Sequence, residues 1–527
     1  MITPTFTAPR LVVSGLSGGG GKTLVSLGLA RALTLRGLRV KPCKKGPDYI
    51  DAAWLSLASG RTPTNLDPYF LSDDRLRALF RASFDDADLA IIEGNRGLYD
   101  GRDLEGSCST ATLARALDAP VLLTLTVTKM TRTAAAVVAG LANFEPVKLA
   151  GVILNRVASS RHADLIRRSI ETYTGIPVLG EIPRLAENPI PERHMGLVSM
   201  HDESPDAPGR SELLAALDGL AALVENHLDI EAVQRIARSA PELACTDAFW
   251  EEASPRSLGT APLSETLTGT ERCAQPDSVI SAASAPETGG LVSGVSAERP
   301  VTIGYVRDAA LWFYYEENFE ALRRAGARLV ELSVLSPEPW PAVGGLDGLY
   351  LGGGFPEMVP ERLSGSPHLA EIRDYSMRNM PIYAECGGFM ILCEALRIDG
   401  KDYPMAGLFP ARAEFRPQPQ GLGYVEATVE AENPFHPVGA VLRGHEFHYS
   451  RCVALGDLAP TLRLSPGVGM SGPGHRAKGL AAEGPDTLRS RDGLLIRNTF
   501  AAYTHLFAPA VPHWARRFVA AGRGTKK

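Results

Sequence analysis

The chain has 527 residues, which exceeds one ordinary hydrophobic core and predicts two domains of about 150–250 residues each. A 45% hydrophobic fraction without an apolar run of about 18 residues predicts a globular protein outside the membrane, and interspersed charges with a net charge of −6 predict no nucleic-acid partner. The seven cysteines form no CxxC pair and no signal peptide is evident, so we expect a reducing, cytoplasmic location without disulfides or a zinc site.

Short apolar runs alternate with longer helical stretches from residue 10 to about residue 202. The runs are almost continuously apolar, which is typical of strands that are buried on both faces of a parallel sheet. Candidate strands lie at residues 11–14, 39–42, 89–93, 121–127 and 149–154, and a candidate helix lies at 23–36. Repeated strand–helix units of this kind predict a doubly wound α/β domain over residues 8–240.

The composition changes in the middle of the chain. Residues 203–240 have the pattern of one or two helices that close the first domain. From 241 to 300 the chain is rich in Ser, Ala, Thr, Gly and Pro and poor in large apolar residues, which predicts a flexible linker, with a folded insertion as the alternative. Strand patterns resume at Val301 and later become more β-rich, so we expect a second α/β domain over 301–520.

A glycine-rich loop, SGLSGGGGKT over residues 14–23, separates the first candidate strand from a helix. Such a unit aims backbone N–H groups and a helix N-terminus at one point, which favours a polyphosphate. Lys22 would neutralise the β- and γ-phosphates of ATP, and the Thr23 hydroxyl would bind Mg²⁺. Five residues separate Gly15 from Gly21 instead of the usual four, and a glycine-rich turn with an incidental lysine is the alternative. The predicted ATP-binding residues are Gly18, Gly19, Gly20, Gly21, Lys22 and Thr23.

Two further loops follow candidate strands: KKGPDYID over residues 44–51 and IEGNRGLYDG over 92–101. Ligands of open α/β sheets bind at the carboxyl ends of the strands, so both loops should face the nucleotide. Glu93 ends its strand and is well placed as a Mg²⁺ ligand. The other acidic candidates for metal or substrate are Asp48, Asp51, Asp100 and Asp103, and the basic candidates for an anionic substrate are Lys44, Lys45 and Arg96. Solvated loop charges are the alternative for any one of these residues.

A cysteine lies at the turn between a candidate strand at 380–384 and a helix. The sequence ECGG over residues 385–388 puts two glycines after Cys386, a pattern that projects the side chain as in a nucleophile elbow. We expect the helix N-terminus to lower the pKa of this thiol and so to favour the reactive thiolate. A buried structural cysteine is the alternative.

Thiolate chemistry needs a base and an oxyanion binder. His505, which follows a late apolar strand in the segment AYTH, is the candidate base, and His445 and His448 are supporting candidates. The triple glycine in LGGGFPE over residues 351–357 offers backbone N–H groups to a developing oxyanion. The predicted oxyanion residues are Gly353, Gly354 and Gly387.

Taken together, these motifs resemble the cobyrinate a,c-diamide synthase family, glutamine-dependent amidases of corrin and cobalamin biosynthesis. The resemblance covers nearly the whole chain apart from 241–300, and its marks are GGGGKT, KKGPDYIDAAWL, NLD at 65–67, EGNRGLYDG, GVILNRV at 151–157, LGGGFPE, YAECGGFMIL, GLGY at 421–424 and YTH. It implies a carbon–nitrogen ligase that uses ATP and glutamine. It also implies an N-terminal P-loop domain similar to dethiobiotin synthetase and a C-terminal class I glutamine amidotransferase-like domain.

The resemblance implies roles for individual residues. Cys386 matches the glutaminase nucleophile, His505 matches the residue that activates it, and the three glycines named above would bind glutamine and its oxyanion. The residues implied to meet the tetrapyrrole substrate are Asp48, Tyr49, Ile50, Asp51 and Asp100. The residues expected to hold the metal are Thr23, Asp48 and Glu93. A homodimer is expected at the level of the family.

Two departures from the family pattern leave alternatives open. Related glutaminases carry a carboxylate two residues after the histidine, whereas this chain has Phe507 there, so another group must orient His505. Lys45 and Asn95-Arg96 also resemble relatives that amidate siroheme or (Ni-)sirohydrochlorin. The reaction is therefore implied more firmly than the macrocycle on which it acts.

Three rival functions use the same motifs. Cobyrate synthase amidates other corrin side chains, but its synthetase segment lacks the GPDYID pattern that this chain has at residues 46–51. A ParA-like regulatory ATPase with an inert amidotransferase domain would hydrolyse ATP without consuming glutamine. A cysteine peptidase or hydrolase in the C-terminal half would release no ammonia from glutamine.

Overall fold

A computed structural model describes residues 4–186, 190, 192–193, 196–197, 209–245, 249–250, 299–341, 344–455, 457–471 and 490–524. These residues form an N-terminal and a C-terminal unit, each built on a mainly parallel sheet with helices, so the predicted α/β class is confirmed. Within the described ranges no helix is long and apolar enough to span a membrane.

A parallel sheet of seven strands forms the centre of the N-terminal domain. The strands of this domain are β1 (Thr5–Phe6), β2 (Arg10–Gly15), β3 (Val40–Lys45), β4 (Thr64–Leu66), β5 (Leu89–Glu93), β6 (Val121–Thr126), β7 (Leu149–Val157), β8 (Val178–Pro183), β9 (Glu192–Arg193), β10 (Gly196–Leu197) and β11 (Leu243–Ala244). The central sheet has the order β4-β3-β5-β2-β6-β7-β8. Every residue of β2, β3 and β5 is buried; β2 and β5 are mainly apolar, whereas β3 buries Lys41, Lys44 and Lys45. The candidate strands are confirmed, whereas β4 and β8 were not predicted.

Helices cover both faces of this sheet. They are α1 (Lys22–Leu35), α2 (Ile50–Ser59), α3 (Asp73–Phe84), α4 (Thr110–Ala116), α5 (Thr133–Phe144), α6 (Ser160–Thr174), α7 (Arg210–His227) and α8 (Ile230–Arg238). The side chain of Ser159 caps α6 by accepting the His162 N–H, and Gly175 ends it with a φ of 69°. A Cβ at Gly28 of α1 would lie 2.6 Å from Val224 of α7, so the glycine lets these two helices pack closely.

The first residues of the predicted linker belong to the N-terminal domain. Strand β11 pairs with β1 in antiparallel register, and Phe249 is 1% exposed beneath the guanidinium of Arg75, whose Cζ lies 4.3 Å from the ring centroid. Leu243 of β11 and Phe249 are both buried in an apolar cluster that contains core residues of this domain. Residues 246–248 and 251–298 lie outside the described residues, so the flexible linker stays a prediction there.

The C-terminal domain combines three sheets. Its strands are β12 (Val301–Val306), β13 (Ala327–Leu332), β14 (Gly348–Leu351), β15 (Ile382–Glu385), β16 (Cys393–Ile398), β17 (Lys401–Pro404), β18 (Phe409–Phe415), β19 (Gly421–Val429), β20 (Val441–His448), β21 (Ser450–Leu455), β22 (Leu462–Leu464), β23 (Arg491–Asp492), β24 (Leu494–Ile496), β25 (Thr499–Ala502) and β26 (His505–Leu506). Its helices are α9 (Glu316–Arg324), α10 (Pro360–Ser364), α11 (His368–Met377), α12 (Gly387–Leu392) and α13 (His513–Gly524). The sheet orders are β13-β12-β14-β15-β25-β24, β17-β16-β18-β21 and β23-β22-β19-β20-β26. Strands β15 and β26 carry the cysteine turn and the candidate histidine.

One apolar cluster is shared by the two domains. Its aromatic members include Tyr49, Tyr69 and Phe70 from the N-terminal domain and Trp312, Phe313, Tyr315 and Phe507 from the C-terminal domain. Two hydrogen bonds flank the cluster: the Tyr69 hydroxyl donates to the Val425 carbonyl at 2.8 Å, and the Tyr424 hydroxyl donates to Asp67 Oδ2 at 2.7 Å. The loop after β4 is therefore held against the C-terminal domain by hydrogen bonds, and the loop after β3 contacts it through Tyr49.

Candidate functional site

The loop between β2 and α1 has the backbone shape of a phosphate cradle. Gly19 and Gly21 have φ angles of 69° and 91°, which favour glycine at both positions. A Cβ at Gly21 would lie 2.2 Å from Nδ2 of Asn155, and that amide donates a 3.0 Å hydrogen bond to the Gly20 carbonyl. Strand β7 thus supports the predicted loop of Gly18–Gly21 through Asn155, a residue that was not among the predicted site residues.

Lys22 and Thr23 begin α1 at the end of this loop. The Lys22 ammonium donates to the Ser17 carbonyl at 2.8 Å and so lies across the loop. Burial lowers the pKa of Lys22, which makes an anionic partner favourable there. The Thr23 hydroxyl donates a 2.7 Å hydrogen bond to Glu93 Oε1 at the end of β5, so the structure joins two of the three predicted metal ligands.

The carboxylate of Glu93 is fully buried and only partly satisfied. Its Oε1 lies 3.2 Å from the Lys44 ammonium, while its Oε2 has no hydrogen-bond partner within the described part of the chain. Burial raises the pKa of Glu93, and Lys44 opposes that shift. A buried, unpartnered carboxylate oxygen beside a threonine hydroxyl fits a small divalent cation that also takes phosphate oxygens and water. Among the described residues no group of three or more His, Cys, Asp or Glu side chains could hold a metal by itself.

The KKGPDYID loop turns its carboxylates and its aromatic ring in different directions. Asp48 Oδ1 accepts the Asp51 N–H at 2.8 Å and so helps to start α2, and Asp51 Oδ2 lies 2.6 Å from the Lys44 ammonium. Burial, and then the charge of Asp51, raise the pKa of Asp48. Tyr49 enters the shared aromatic cluster instead, and Ile50 packs partly buried against the two apolar clusters on either side of it.

The IEGNRGLYDG loop lies against the phosphate loop. A Cβ at Gly97 would lie 2.4 Å from the carbonyl oxygen of Leu16, which records how closely the two backbones approach. Asp100 Oδ2 accepts the Gly97 N–H at 2.8 Å, and Asp103 Oδ1 accepts the Ser107 N–H at 2.8 Å. Both carboxylates thus hold turns, while the side chain of Asp100 remains exposed at the edge of the site.

A cavity of about 500 Å³ lies between the two domains. Its N-terminal wall contains Lys45, Pro47, Asp48, Asn95, Arg96, Asp100, Gly101, Arg102 and Cys108, and its C-terminal wall contains Leu422, Gly423, Tyr424, His445, Glu446, Phe447 and Pro466. The cationic side chains on the first wall suit a ligand with several carboxylates. The structure therefore brings both predicted substrate loops to one cavity and adds Arg102, which sequence reasoning missed.

Cys386 occupies the turn between β15 and α12 with a φ of 46°, a strained angle for a residue other than glycine. Its thiol is 2% exposed and donates to the Phe447 carbonyl at 3.5 Å. Burial raises the pKa of the thiol above its usual value, although the N–H groups of Gly387 and Gly354 favour the thiolate. The expectation of a lowered pKa is therefore wrong for the free protein, since burial outweighs the helix N-terminus and a base must remove the proton.

The three predicted oxyanion glycines fall into two groups. The N–H groups of Gly354 and Gly387 interact with the cysteine sulfur, so they face the reacting position. The Gly353 carbonyl instead accepts the N–H groups of Trp312 and Phe313 at 2.9 Å and 3.0 Å. A Cβ at Gly353 would lie 2.3 Å from Cε1 of His505, so glycine there makes room for the histidine ring. The oxyanion role stays a prediction for all three.

The three candidate histidines have different surroundings. His505 begins β26, is fully buried and stacks on His445 with 4.8 Å between ring centroids. Burial lowers the pKa of His445, and the hydroxyl of Tyr315 lies 3.5 Å from its Nδ1. His448 stacks on Tyr503 and its Nδ1 lies 2.7 Å from the Ser450 carbonyl, so it is engaged elsewhere. His505 remains the candidate base and His445 a supporting residue.

Comparisons with known proteins cover almost the whole chain. Residues 11–198 match the family model described as the CobQ/CobB/MinD/ParA nucleotide binding domain, and residues 302–511 match that of the CobB/CobQ-like glutamine amidotransferase domain. The cobyrinate a,c-diamide synthase of Magnetococcus marinus is 39% identical over 513 residues, which are 97% of this chain and 96% of that protein.

Two further relatives match over a similar length. The cobyrinate a,c-diamide synthase of Syntrophotalea carbinolica is 37% identical over 98% of this chain and 100% of its own length. The hydrogenobyrinate a,c-diamide synthase of Streptomyces coelicolor is 36% identical over 97% of both chains. Identity at this level along both domains and across the whole length indicates a common family and not a shared fold alone.

Proposed function

This chain belongs to the cobyrinate a,c-diamide synthase family, a family of glutamine-dependent ligases, and from that membership we propose that its own substrate is cobyrinate. The reaction converts the a and c acetate carboxylates to amides at the cost of ATP and glutamine. The observation that carries the proposal is the cavity between the domains, because it is lined by both substrate loops and by the strand whose Phe447 carbonyl accepts the Cys386 thiol.

The C-terminal domain would release ammonia from glutamine. His505 takes the thiol proton of Cys386, and the thiolate attacks the side-chain amide carbon of glutamine. The N–H groups of Gly354 and Gly387 then stabilise the negative charge on the amide oxygen. The carbon–nitrogen bond breaks, ammonia leaves with the proton held by His505, and water hydrolyses the remaining thioester to give glutamate.

The N-terminal domain would activate the substrate carboxylate. Its oxygen attacks the γ-phosphorus of ATP, ADP leaves, and the acyl phosphate that forms gives ammonia a leaving group that a free carboxylate lacks. Lys22 neutralises charge on the phosphates while the glycine loop positions them, which is the main contribution that a protein makes to phosphoryl transfer. Lys45, Arg96 and Arg102 bind substrate carboxylates at the cavity wall.

Mg²⁺ is the expected partner of the nucleotide, and Thr23 and Glu93 would hold it together with Asp48, whose charge acts on the Glu93 carboxylate. The unpartnered Oε2 of Glu93 and its raised pKa support this assignment, because a cation would satisfy that oxygen and favour the ionised carboxylate. When bound, Mg²⁺ would neutralise charge on the β- and γ-phosphates. A cytoplasmic homodimer without nucleic-acid partners completes the proposal, and light scattering of the purified chain tests the oligomeric state.

A panel of macrocycles tests the substrate. The purified protein is incubated with ATP, Mg²⁺ and glutamine together with cobyrinic acid, hydrogenobyrinic acid, sirohydrochlorin or siroheme, and the products are separated by mass. Each carboxylate converted to an amide gives a fixed mass step, so two steps identify a diamide. We expect the diamide with cobyrinic acid at the highest kcat/KM. Preferred turnover of sirohydrochlorin or siroheme would contradict the cobyrinate assignment while leaving the amidation chemistry intact.

A further inference from the structure

The candidate base of the glutaminase site lacks a carboxylate at the usual place in the sequence. Two residues after His505 the chain has Phe507, which is fully buried and stacks on Phe70 of the N-terminal domain with 5.3 Å between ring centroids. That position contributes to the contact between the domains and cannot orient an imidazole. His505 nevertheless needs a partner, because an imidazole acts as a base from one nitrogen only when the other nitrogen holds its proton.

A carboxylate from a different strand reaches the histidine. Glu385 is the last residue of β15 and directly precedes Cys386, and its Oε2 lies 3.6 Å from Nδ1 of His505. Both side chains are buried, with exposures of 0% for the histidine and 1% for the glutamate. The separation is longer than a hydrogen bond, as is common for catalytic pairs before the substrate binds.

Two hydrogen bonds hold this carboxylate in place. Glu385 Oε1 accepts the backbone N–H of Leu506 at 3.2 Å, and Oε2 accepts the Tyr350 hydroxyl at 3.2 Å. Leu506 is the neighbour of His505 in β26, so the first bond fixes the carboxylate relative to the histidine backbone. The side chain is therefore positioned by three strands, β14, β15 and β26.

The titratable groups that surround the pair are mostly neutral. His445 stacks on His505 from β20, and burial lowers its pKa, so it is uncharged at neutral pH. Burial raises the pKa of Tyr49, whose ring lies 5.4 Å from that of His505, and of Tyr350, which donates to Glu385. On the cysteine side Glu357 is the charged neighbour, and burial raises its pKa to about 7.

We propose that Glu385 is the positioning residue of the glutaminase site and completes a triad with Cys386 and His505. It does so from the position before the cysteine and not from the usual position two residues after the histidine. Its carboxylate keeps the proton on Nδ1 of His505, which leaves Nε2 free to accept the proton of the thiol. When that proton arrives, the carboxylate stabilises the imidazolium, and the same proton later leaves with ammonia. The inference rests on the proposed glutaminase role of Cys386.

Glu385→Gln in the full-length chain separates this role from a structural one. Glutamine has the same size, and its amide oxygen still accepts hydrogen bonds, but it carries no charge. We expect kcat for glutamate release from glutamine to fall by roughly 10²–10⁴-fold with little change in KM, while ammonium-driven amidation stays at the wild-type rate. Glu371→Gln is the matched control, because it removes the carboxylate 3.0 Å from Nδ1 of the buried His368 in the same domain and should leave both activities unchanged.

A second measurement is the pH dependence of Cys386 alkylation by iodoacetamide, followed by peptide mass. Its midpoint would not change if Glu385 had only a structural role. A carboxylate that stabilises the imidazolium lowers the pH at which the thiolate forms, so the midpoint for Glu385→Gln should lie above that of the wild type. Glu385→Asp keeps the charge with a shorter reach, and its midpoint should stay near the wild-type value even if its rate falls.

Three outcomes would overturn the proposal: a wild-type kcat in Glu385→Gln, an equal loss of ammonium-driven amidation, or a Glu385→Asp midpoint that matches Glu385→Gln. Failure of the proposed function would look different, because the wild-type protein itself would then release no glutamate from glutamine.

Discussion

Tyr49 of the N-terminal domain stacks on Phe313 of the C-terminal domain, with 4.8 Å between ring centroids and 5° between ring planes. The same tyrosine ring lies 5.4 Å from His505. Tyr49 directly follows Asp48, which lines the cavity between the domains. A shift of the KKGPDYID loop on substrate binding would therefore also move the Tyr49 ring, which lies beside the candidate glutaminase base.

Tyr49→Ala should weaken the coupling between glutamine hydrolysis and amide formation. The variant removes the ring that contacts Phe313 and His505, and such aromatic pairs contribute about 0.5–1.5 kcal/mol each. We expect the ratio of amide formed to glutamate released to fall by about two- to tenfold, measured by quantifying both products in one reaction. Tyr49→Phe keeps the ring and serves as the control with a near wild-type ratio. An unchanged ratio in Tyr49→Ala would show that the stacking has no part in coupling.

Cys386→Ala should abolish amidation driven by glutamine and leave amidation driven by a high concentration of ammonium. The reason is that the N-terminal site needs only ammonia and an activated carboxylate, whereas glutamine hydrolysis needs the thiolate. Product mass with each nitrogen source provides the measurement. Cys245→Ala, which changes a buried cysteine of the N-terminal domain, is the control and should keep both activities. Retained turnover with glutamine in Cys386→Ala would remove the nucleophile assignment.

Lys22→Ala should depress both the glutamine-driven and the ammonium-driven reaction. The ammonium of Lys22 lies across the phosphate loop, and loss of one preorganised charge at a developing anion typically lowers kcat by roughly 10²–10³-fold. Initial rates of ADP release at saturating ATP measure the effect. The exposed Lys148→Ala variant controls for the loss of a positive charge and should behave as wild type. Normal ammonium-driven turnover in Lys22→Ala would contradict the ATP-site assignment.

Sequence patterns predicted strands whose residues are mainly buried and apolar. Strand β5 was predicted with its observed bounds because all of its residues are buried and apolar up to Glu93. Strand β4 was missed because it is short and contains Asn65, whose amide donates to the carbonyls of Gly46 and Asp48 at 2.8 Å and 2.9 Å. Such a strand depends on its hydrogen bonds to a neighbouring loop, and local strand propensity does not indicate those bonds.

The features of the candidate site also differ in whether a local sequence pattern predicts them. Cys386 and the phosphate loop are each marked by glycines after a strand, and His505 by its place after a late apolar strand. Glu385 precedes the cysteine, but its approach to His505 depends on how β15 and β26 lie relative to each other. The stacking of Tyr49 on Phe313 depends on the packing of two domains. Neither distance follows from periodicity or spacing along the chain.

Glu317→Gln should change how stability depends on pH. Burial raises the pKa of Glu317 from 4.5 to about 7, so the folded protein binds more protons than the unfolded chain between these values, and the free energy of unfolding falls as pH rises through that window. Glutamine cannot titrate, so the melting temperature of the variant relative to wild type should rise between pH 4.5 and 7 and then level off. The corresponding free-energy change is at most about 3 kcal/mol. Glu320→Gln, on the exposed face of the same helix, is the control and should give only a small difference in melting temperature. A difference for Glu317→Gln that does not change with pH would mean that Glu317 is ionised throughout.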